Sequence, residues 1–379
     1  MALYKITLRP LDSFFFGGSR TYNNDKRGKT SYKDAKGKDK ADKQNYFVQS
    51  EQFPQQSAVL GMLRYQVLAQ NGYLDYDKKG LTASDTNITN LIGEEGFSPN
   101  NQAIEYGKIK AISPIFLTNG KENVIPQALD FAYNSEKREA IQQILPTFEN
   151  EKQQVYNSQK KAWVTTADTG TSYNYKYGKP DLLVNANGNT QYKVEYDEDY
   201  EGKVIKNGLF YPFIKIGIDK LKPENAFYKQ KRYQLAKNWS FAFFAEMNEV
   251  PEKGITYMGA ERSAFAFEAH EITAEHTAKS KFEATFQAAF SHLDGKNALV
   301  LTSDAFVNYE DIAKHSLFHI SQIRDYRALT NNYNSLNRSA QYVLMGRGSV
   351  IYAEDIATLS ALFNKPHFQN IGYNHFITK

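Results

Sequence analysis

Strand-length runs of alternating apolar and polar residues recur along this chain, and no helix-length stretches separate them at regular intervals. Leu3 to Leu8 reads Leu-Tyr-Lys-Ile-Thr-Leu, a first strand. Strand-like segments follow at 109–117, 124–131, 209–218, 239–246, 257–268 and 297–302. A parallel sheet needs a long crossover between neighbouring strands, usually a helix, and that alternation is missing. No segment repeats at a fixed period, so solenoids and propellers are excluded. The expected class is α+β, with antiparallel sheets and helices on one face.

Few helices stand out. In Phe53-Pro54-Gln55-Gln56-Ser57, Ser57 is placed to cap a helix whose stripe is Val59, Leu60, Leu63 and Val67. Asn71-Gly72 suits its C-terminal cap. Gly61 inside that helix costs about 1 kcal/mol against Ala, which predicts close packing on another backbone. The helix N-terminus is also a possible seat for phosphate. Further helices are expected at 135–145, closed by Pro146, and near 354–364, with a helix or extended segment at 277–292.

A length of 379 residues suits two domains. The expected division is an N-terminal domain over 1–149, an irregular polar insertion over 150–208 and a C-terminal domain over 209–379. Within the first, residues 23–45 hold eight Lys or Arg against four Asp and no Leu, Ile, Val, Met, Phe or Trp. Such a stretch has nothing to offset the entropy of ordering, so it reads as a mobile basic loop.

Much chemistry is excluded. With no Cys there is no disulfide scaffold, thiolate zinc site or thiol nucleophile. All seven His lie at or beyond His270. His315 and His319 share helical metal spacing, but their run reads as a strand, where that spacing holds them about 13 Å apart. Neither a phosphate-binding Walker loop, a dinucleotide fingerprint nor a nucleophile elbow is present. Asp197, Glu198, Asp199 and Glu201 read as a solvated loop. No catalytic residue, cofactor or metal is therefore expected. The N-terminus has no signal-like apolar core and no window is long enough to span a membrane, which points to a cytoplasmic protein. A net charge of +4 permits a polyanionic partner without requiring one.

What remains is a set of glycine turns carrying arginine, in a chain whose residues are 14% aromatic. They are Gly17-Gly18-Ser19-Arg20, Gly259-Ala260-Glu261-Arg262, Gly346-Arg347-Gly348-Ser349 and Gly372-Tyr373-Asn374. Backbone N–H groups at such turns donate to phosphate oxygens, arginine adds bidentate charge, and aromatic rings stack on bases. Each turn taken alone is only a turn.

The ordered set resembles the third subunit of Cmr complexes, a family of the repeat-associated RAMP superfamily in type III-B CRISPR effectors. The blocks are Ile6-Thr7-Leu8-Arg9-Pro10-Leu11-Asp12-Ser13-Phe14-Phe15-Phe16-Gly17-Gly18-Ser19-Arg20, then Pro54-Gln55-Gln56-Ser57-Ala58-Val59-Leu60-Gly61-Met62-Leu63-Arg64. Met258-Gly259-Ala260-Glu261-Arg262-Ser263, Gly348-Ser349-Val350-Ile351-Tyr352 and Ile371-Gly372-Tyr373-Asn374 follow. Departures are the long loop 23–45, Ala260 at a family glycine, a final turn poor in glycine and the uncovered insertion 150–208.

The resemblance implies two modified ferredoxin-like (RRM-like) domains with antiparallel sheets and long loop insertions, and no catalytic centre. It implies that the chain grips the repeat-derived 5′ handle of the crRNA in antiviral defence. Its protein partners would be the large cyclase-type subunit and the first backbone RAMP subunit. The residues expected on RNA are Arg20, Ser57, Arg64, Gly259, Arg262, Arg347 and Tyr373. Arg324, Arg327 and Arg338, in or beside the polar stretch Asn331–Asn334, come second. Three alternatives stand beside this reading: a metal-independent endoribonuclease that processes the crRNA precursor, a scaffold binding no RNA, and the equivalent type III-A subunit. The first 269 residues lack the His that such a nuclease usually needs.

Overall fold

The strand expected at the N-terminus is the centre of the architecture. In the computed structural model of the chain, β1 (Ala2–Pro10) buries Ile6 and Leu8 on one face and Leu3 on the other. It pairs antiparallel with β11 (Ser240–Met247) on one edge and β13 (Ser263–Ile272) on the other. The residues described are 1–17, 20–22, 46–75, 80–81, 85–94, 96–100, 105–134, 139–142, 154–157, 162–165, 182–200, 202, 204–218, 227–259, 261–272, 276–327, 329–332 and 335–379.

Beyond β13 lies β12 (Lys253–Met258), one edge of the sheet. Beyond β11, β4 (Ile109–Ile112) and β5 (Phe116–Thr118) share its second edge. The sheet continues through β6 (Asn123–Pro126), β7 (Leu182–Asn185) and β8 (Gln191–Lys193), nine strands among the described residues. The single strand expected over 109–117 divides at Ser113-Pro114, where proline cannot donate to a ladder.

Period-two alternation puts Phe241, Phe243, Ala245 and Met247 of β11 on one side and Ala242 and Phe244 on the other. Both sides are buried, because helices α1 (Gln56–Gln70) and α2 (Asp85–Ile92) cover one, and α3 (Ala278–Phe286) with a second sheet covers the other. Phe282 and Phe286 of α3 reach Phe116 with ring centroids 6.1 and 5.3 Å apart. A 3-10 turn over Gln287–Leu293 follows α3, so the segment expected at 277–292 is helical with a kink at Phe290.

The second sheet is C-terminal. It contains β14 (Ala298–Leu301), β15 (Phe318–Ile320), β16 (Val350–Tyr352) and β17 (Phe376–Thr378), ordered β15-β16-β14-β17 and wholly antiparallel. Helix α4 (Tyr309–His315) follows β14, and α5 (Ile356–Ala361) and α6 (Pro366–Gln369) follow β16. Counting this sheet's strands and the helices between them, the succession is β-α-β-β-α-β, with Ile323–Tyr326, Leu329–Asn332, Ser335–Arg338 and Tyr342–Met345 paired among themselves between β15 and β16. A third sheet, β9 (Phe210–Ile218), β10 (Phe227–Leu235), β3 (Tyr46–Gln49) and β2 (Arg20–Tyr22), includes one parallel pairing, β10 with β3. The chain is thus α+β with mostly antiparallel sheets and few helices, as its pattern of alternation predicts.

Several expectations change. Glu139–Gln142 is a strand paired with Phe131–Asn134, not part of a helix over 135–145. An eleven-residue helical pattern is marginal by itself, and a neighbouring strand offers pairing instead. β11, β12 and β13, which follow the insertion in sequence, complete the sheet that β1 begins, and β7 and β8 from within 150–208 extend it. The division at 208/209 therefore falls inside one sheet, because pairing between distant strands leaves no mark on local composition. The basic stretch 23–45 lies outside the described residues. Among those described, no helix is long and apolar enough to cross a membrane.

Candidate nucleic-acid interface

The run Phe14-Phe15-Phe16 is core. Phe14 packs within 5.3 Å of Phe241 and 6.3 Å of Phe265, ring centre to ring centre. Gly17, which follows these buried rings, is exposed. The backbone of this run is fastened to three other blocks. Phe15 N–H donates to Ser263 Oγ (3.0 Å) and Phe16 N–H to Ser50 Oγ (2.8 Å), while Phe16 C=O accepts from Glu51 N–H (3.0 Å).

Arg232, which sequence inspection passes over, is the clamp. It is buried, and its guanidinium donates to Ser13 C=O (2.9 Å), Ser13 Oγ (3.2 Å) and Gln230 Oε1 (3.1 Å), with Glu261 at 3.7 Å. In Lys-Gln-Lys-Arg-Tyr only Lys229 is exposed while Gln230, Arg232 and Tyr233 are all buried, so partners from distant segments, not the local sequence, decide where Arg232 points.

Gly259 is required by close approach. Its φ is +88°, and a Cβ there would lie 2.3 Å from Phe15 C=O. Gly259→Ala is expected to cost roughly 1–3 kcal/mol, read as a lower midpoint in thermal unfolding of the purified chain. Three residues on, Arg262 closes the turn with N–H on Gly259 C=O (3.2 Å) and φ +48°, and its side chain is exposed. A left-handed arginine at a turn directs its guanidinium to solvent.

Two of the expected RNA contacts lie in the interior of the chain. Arg347 is 6% exposed, and its Nε (3.3 Å) and Nη2 (3.1 Å) bind the two oxygens of Asp304. Its backbone N–H also donates to Asp304 (2.9 Å), and its guanidinium lies 5.1 Å from the Phe53 ring centre. Burial alone would raise the Asp304 carboxyl, but the charges of Arg347 and Arg324 and the hydrogen bonds from Arg347 outweigh it and hold it below its ordinary value. The contact with Asp304 occupies the Nε/Nη2 edge of the guanidinium. Tyr373 is 1% exposed, packed on Phe97 (5.6 Å) and Phe306 (5.0 Å), with burial raising its hydroxyl. The ring is therefore part of the core. Arg324 is ion-paired with Glu51.

Helix α1 starts at this junction. Gln55, not Ser57, is its N-cap, and Gln55 C=O accepts from Ala58 and Val59 N–H. The reason is tertiary. Gln56 is buried and donates through Nε2 to Ser113 C=O and Gly372 C=O, each at 3.0 Å. Gly372, at φ +87°, leaves room for that amide. Ser57 is half-buried, its N–H 3.4 Å from Tyr373 Oη.

Ser57, Gly61 and Arg64 are spaced four and three residues apart and so lie along one face of α1. Gly61 is exposed, and among the described residues no atom outside its own stretch of helix backbone comes within 4 Å of where its Cβ would stand. The close backbone packing expected of it is therefore absent among the described residues. Arg64 is half-buried beside Gly96, and its Nε has no hydrogen-bond partner among the described residues. Burial depresses its pKa, partly countered by nearby Tyr106. The face is polar, cationic and indented at its middle.

Elsewhere, Arg327 is exposed with Nε on Ser339 C=O (3.3 Å). Arg20 and Arg338 lie in strands whose side chains are outside the described residues. Asn331 and Asn332 belong to a hairpin, Leu329–Asn332 with Ser335–Arg338, rather than a loop. His315 ends α4 while His319 lies in β15, so the two are on different elements. Among the described residues, no three His, Asp or Glu gather as a metal site would require.

No protein-family model matches the chain, and no curated protein matches it. It is similar to a chain of the type III-B Cmr-beta complex bound to cognate target RNA and AMPPnP, at 13% identity over 98% of this chain and 95% of that one, with a TM-score of 0.43. It is also similar to a chain of the Csm3–Csm4 subcomplex of a type III-A CRISPR-Cas interference complex, at 10% identity over 93% of each, with a TM-score of 0.33. Neither likeness reaches the level from which a function follows.

Proposed function

We propose that this chain is a non-catalytic subunit of a type III-B CRISPR effector complex that binds the 5′ handle of the crRNA and docks a large cyclase-type subunit and a backbone RAMP subunit. In this reading its two halves are modified ferredoxin-like units, the N-terminal one enlarged by added strands. Support comes first from the five sequence blocks in family order, and then from their meeting place. Gly259 abuts Phe15, Phe16 pairs with Glu51, Arg347 covers Phe53, and Gly372 and Tyr373 pack on Gln56 and Ser57. Blocks far apart in sequence gather around the start of α1.

The observation that carries the proposal is the Ser57-Gly61-Arg64 face. An open mid-helix glycine has a cost, and among the described residues no contact offsets it. A strand of RNA lying across the face uses the indentation for its backbone and the Arg64 guanidinium for a phosphate. Arg262 and Arg327 remain exposed as further contacts, whereas Arg347 and Tyr373 serve as scaffold.

The test is purification of the chain with its assembly from cells that express it natively, and 5′-end sequencing of the bound RNA. The expected result is short RNAs sharing one repeat-derived 5′ tag, crosslinked through that tag to the α1 peptide. RNA without a common 5′ end, or none, sinks the handle-binding reading. Cleavage of a repeat transcript by the purified chain in chelator favours the nuclease alternative instead.

A further inference from the structure

Among the described residues β9 is the outer strand of its sheet, paired with β10 and, at Phe210, bridged to Glu195. Tyr211, Pro212, Phe213, Ile214, Lys215 and Ile216 are all exposed in succession, with Phe213 at 48%, Ile214 at 49% and Ile216 at 62%. Successive strand residues point to opposite faces, so both faces of this strand expose apolar groups. A surface strand normally shows one.

The open edge can be read from the ladder. Tyr233 of β10 exchanges both backbone hydrogen bonds with Phe14, and Lys231 C=O accepts from Ser50 N–H, both away from β9. Antiparallel alternation then turns the backbone of their partners Pro212 and Ile214, and of Ile216, outward. Pro212 fits, since an outward position needs no donor in the ladder. Tyr196 N–H meets Phe210 C=O (2.8 Å), so the start of the edge is covered and the open part begins past it. Exposed, apolar edges of this kind are what proteins ordinarily blunt.

We infer that the β9 edge receives an extended segment of another polypeptide, apolar and carrying carboxylates, which adds to the sheet as a strand. Outward N–H and C=O groups two residues apart match a β-strand. Ile214, Ile216 and Pro212 offer aliphatic contact, which has no stacking value for a base. Charge selects the partner further, because Lys215 and Lys229 are exposed and residues 210–216 and 229–235 contain no Asp or Glu. This inference stands whether or not the chain holds a guide RNA.

The experiment uses the native assembly purified through this chain, with Phe213→p-benzoylphenylalanine as photocrosslinker, before and after nuclease digestion. The expected result is a crosslink to a carboxylate-bearing segment of a different polypeptide. The Ile214 and Ile216 amides should also exchange at least about tenfold slower than in the isolated chain, surviving nuclease. Ile214→Lys with Ile216→Lys should reduce retention of that partner at least about tenfold at unchanged circular dichroism. A crosslink to RNA, protection lost on digestion, a crosslink between two copies of this chain, or no added protection would each overturn the inference. Failure to find a common 5′ RNA tag would leave it untouched.

Discussion

Asp304→Ala is expected to cost about 3–5 kcal/mol, the order found when one partner of a buried ion pair is removed. The variant leaves the Arg347 guanidinium in the core with no carboxylate, and it strips the Gly346–Ser349 turn of the acceptor for Arg347 N–H. Thermal unfolding followed by circular dichroism should show a midpoint lower by several degrees. Asp304→Asn should lose less, since its carbonyl still accepts one bond. The acid limb of stability supplies a second reading. Asp304 titrates below its unfolded value, so its contribution is full above that value and disappears as pH falls through the lower folded one. His375 acts earlier. Burial pushes its pKa down to about 4, so the unfolded chain takes up its proton first, and stability falls as pH drops from about 6.5 towards 4. The wild type should therefore weaken in two stages on acidification, and Asp304→Ala should show a smaller second stage, with the carboxylate of Asp355, also held below its ordinary value by hydrogen bonds from Thr358, still present. A variant as stable as wild type with an unchanged acid limb would show the pair to be energetically idle.

Gly61 separates stability from binding. Gly61→Ala removes backbone entropy from the unfolded chain and introduces no clash, so the isolated protein should gain roughly 0.5–1 kcal/mol. Gly61→Ile fills the indentation between Ser57 and Arg64. It is expected to weaken retention of guide RNA at least about tenfold, equivalent to ~1.4 kcal/mol, while the fold is undisturbed. Arg64→Ala should weaken binding across RNA sequences and flatten the salt dependence by about 0.7 in the log–log slope, the value for one phosphate on a single strand. Filter binding of a repeat-derived oligonucleotide between 50 and 200 mM salt, roughly the range in which such slopes are resolved, reads both effects. If Gly61→Ile binds as wild type does, the face is not where RNA lies.

The contrast between these sites bears on how much of the protein its sequence discloses. Alternation alone places β1, β11 and β14, since each buries apolar residues at period two or in a short continuous run. The stripe Val59, Leu60, Leu63 and Val67 and the Asn71-Gly72 cap place α1. These features are local, and the backbone geometry that reads them is local as well.

Which arginine faces solvent is not local. Arg262 and Arg347 sit in glycine turns that look alike in sequence, yet one is exposed and the other is locked to Asp304, 43 residues away. Tyr373 looks like a stacking ring and is core because Phe97 and Phe306 arrive from elsewhere. Gly61 announces its energetic cost from sequence, but only the packed molecule decides whether a neighbour or open space meets it. By itself, then, the sequence determined the secondary structure, the α+β class and the residues worth asking about. Burial and ion pairing depend on partners brought together by long-range strand pairing, so the tertiary structure alone decided which of those residues remain available to a ligand.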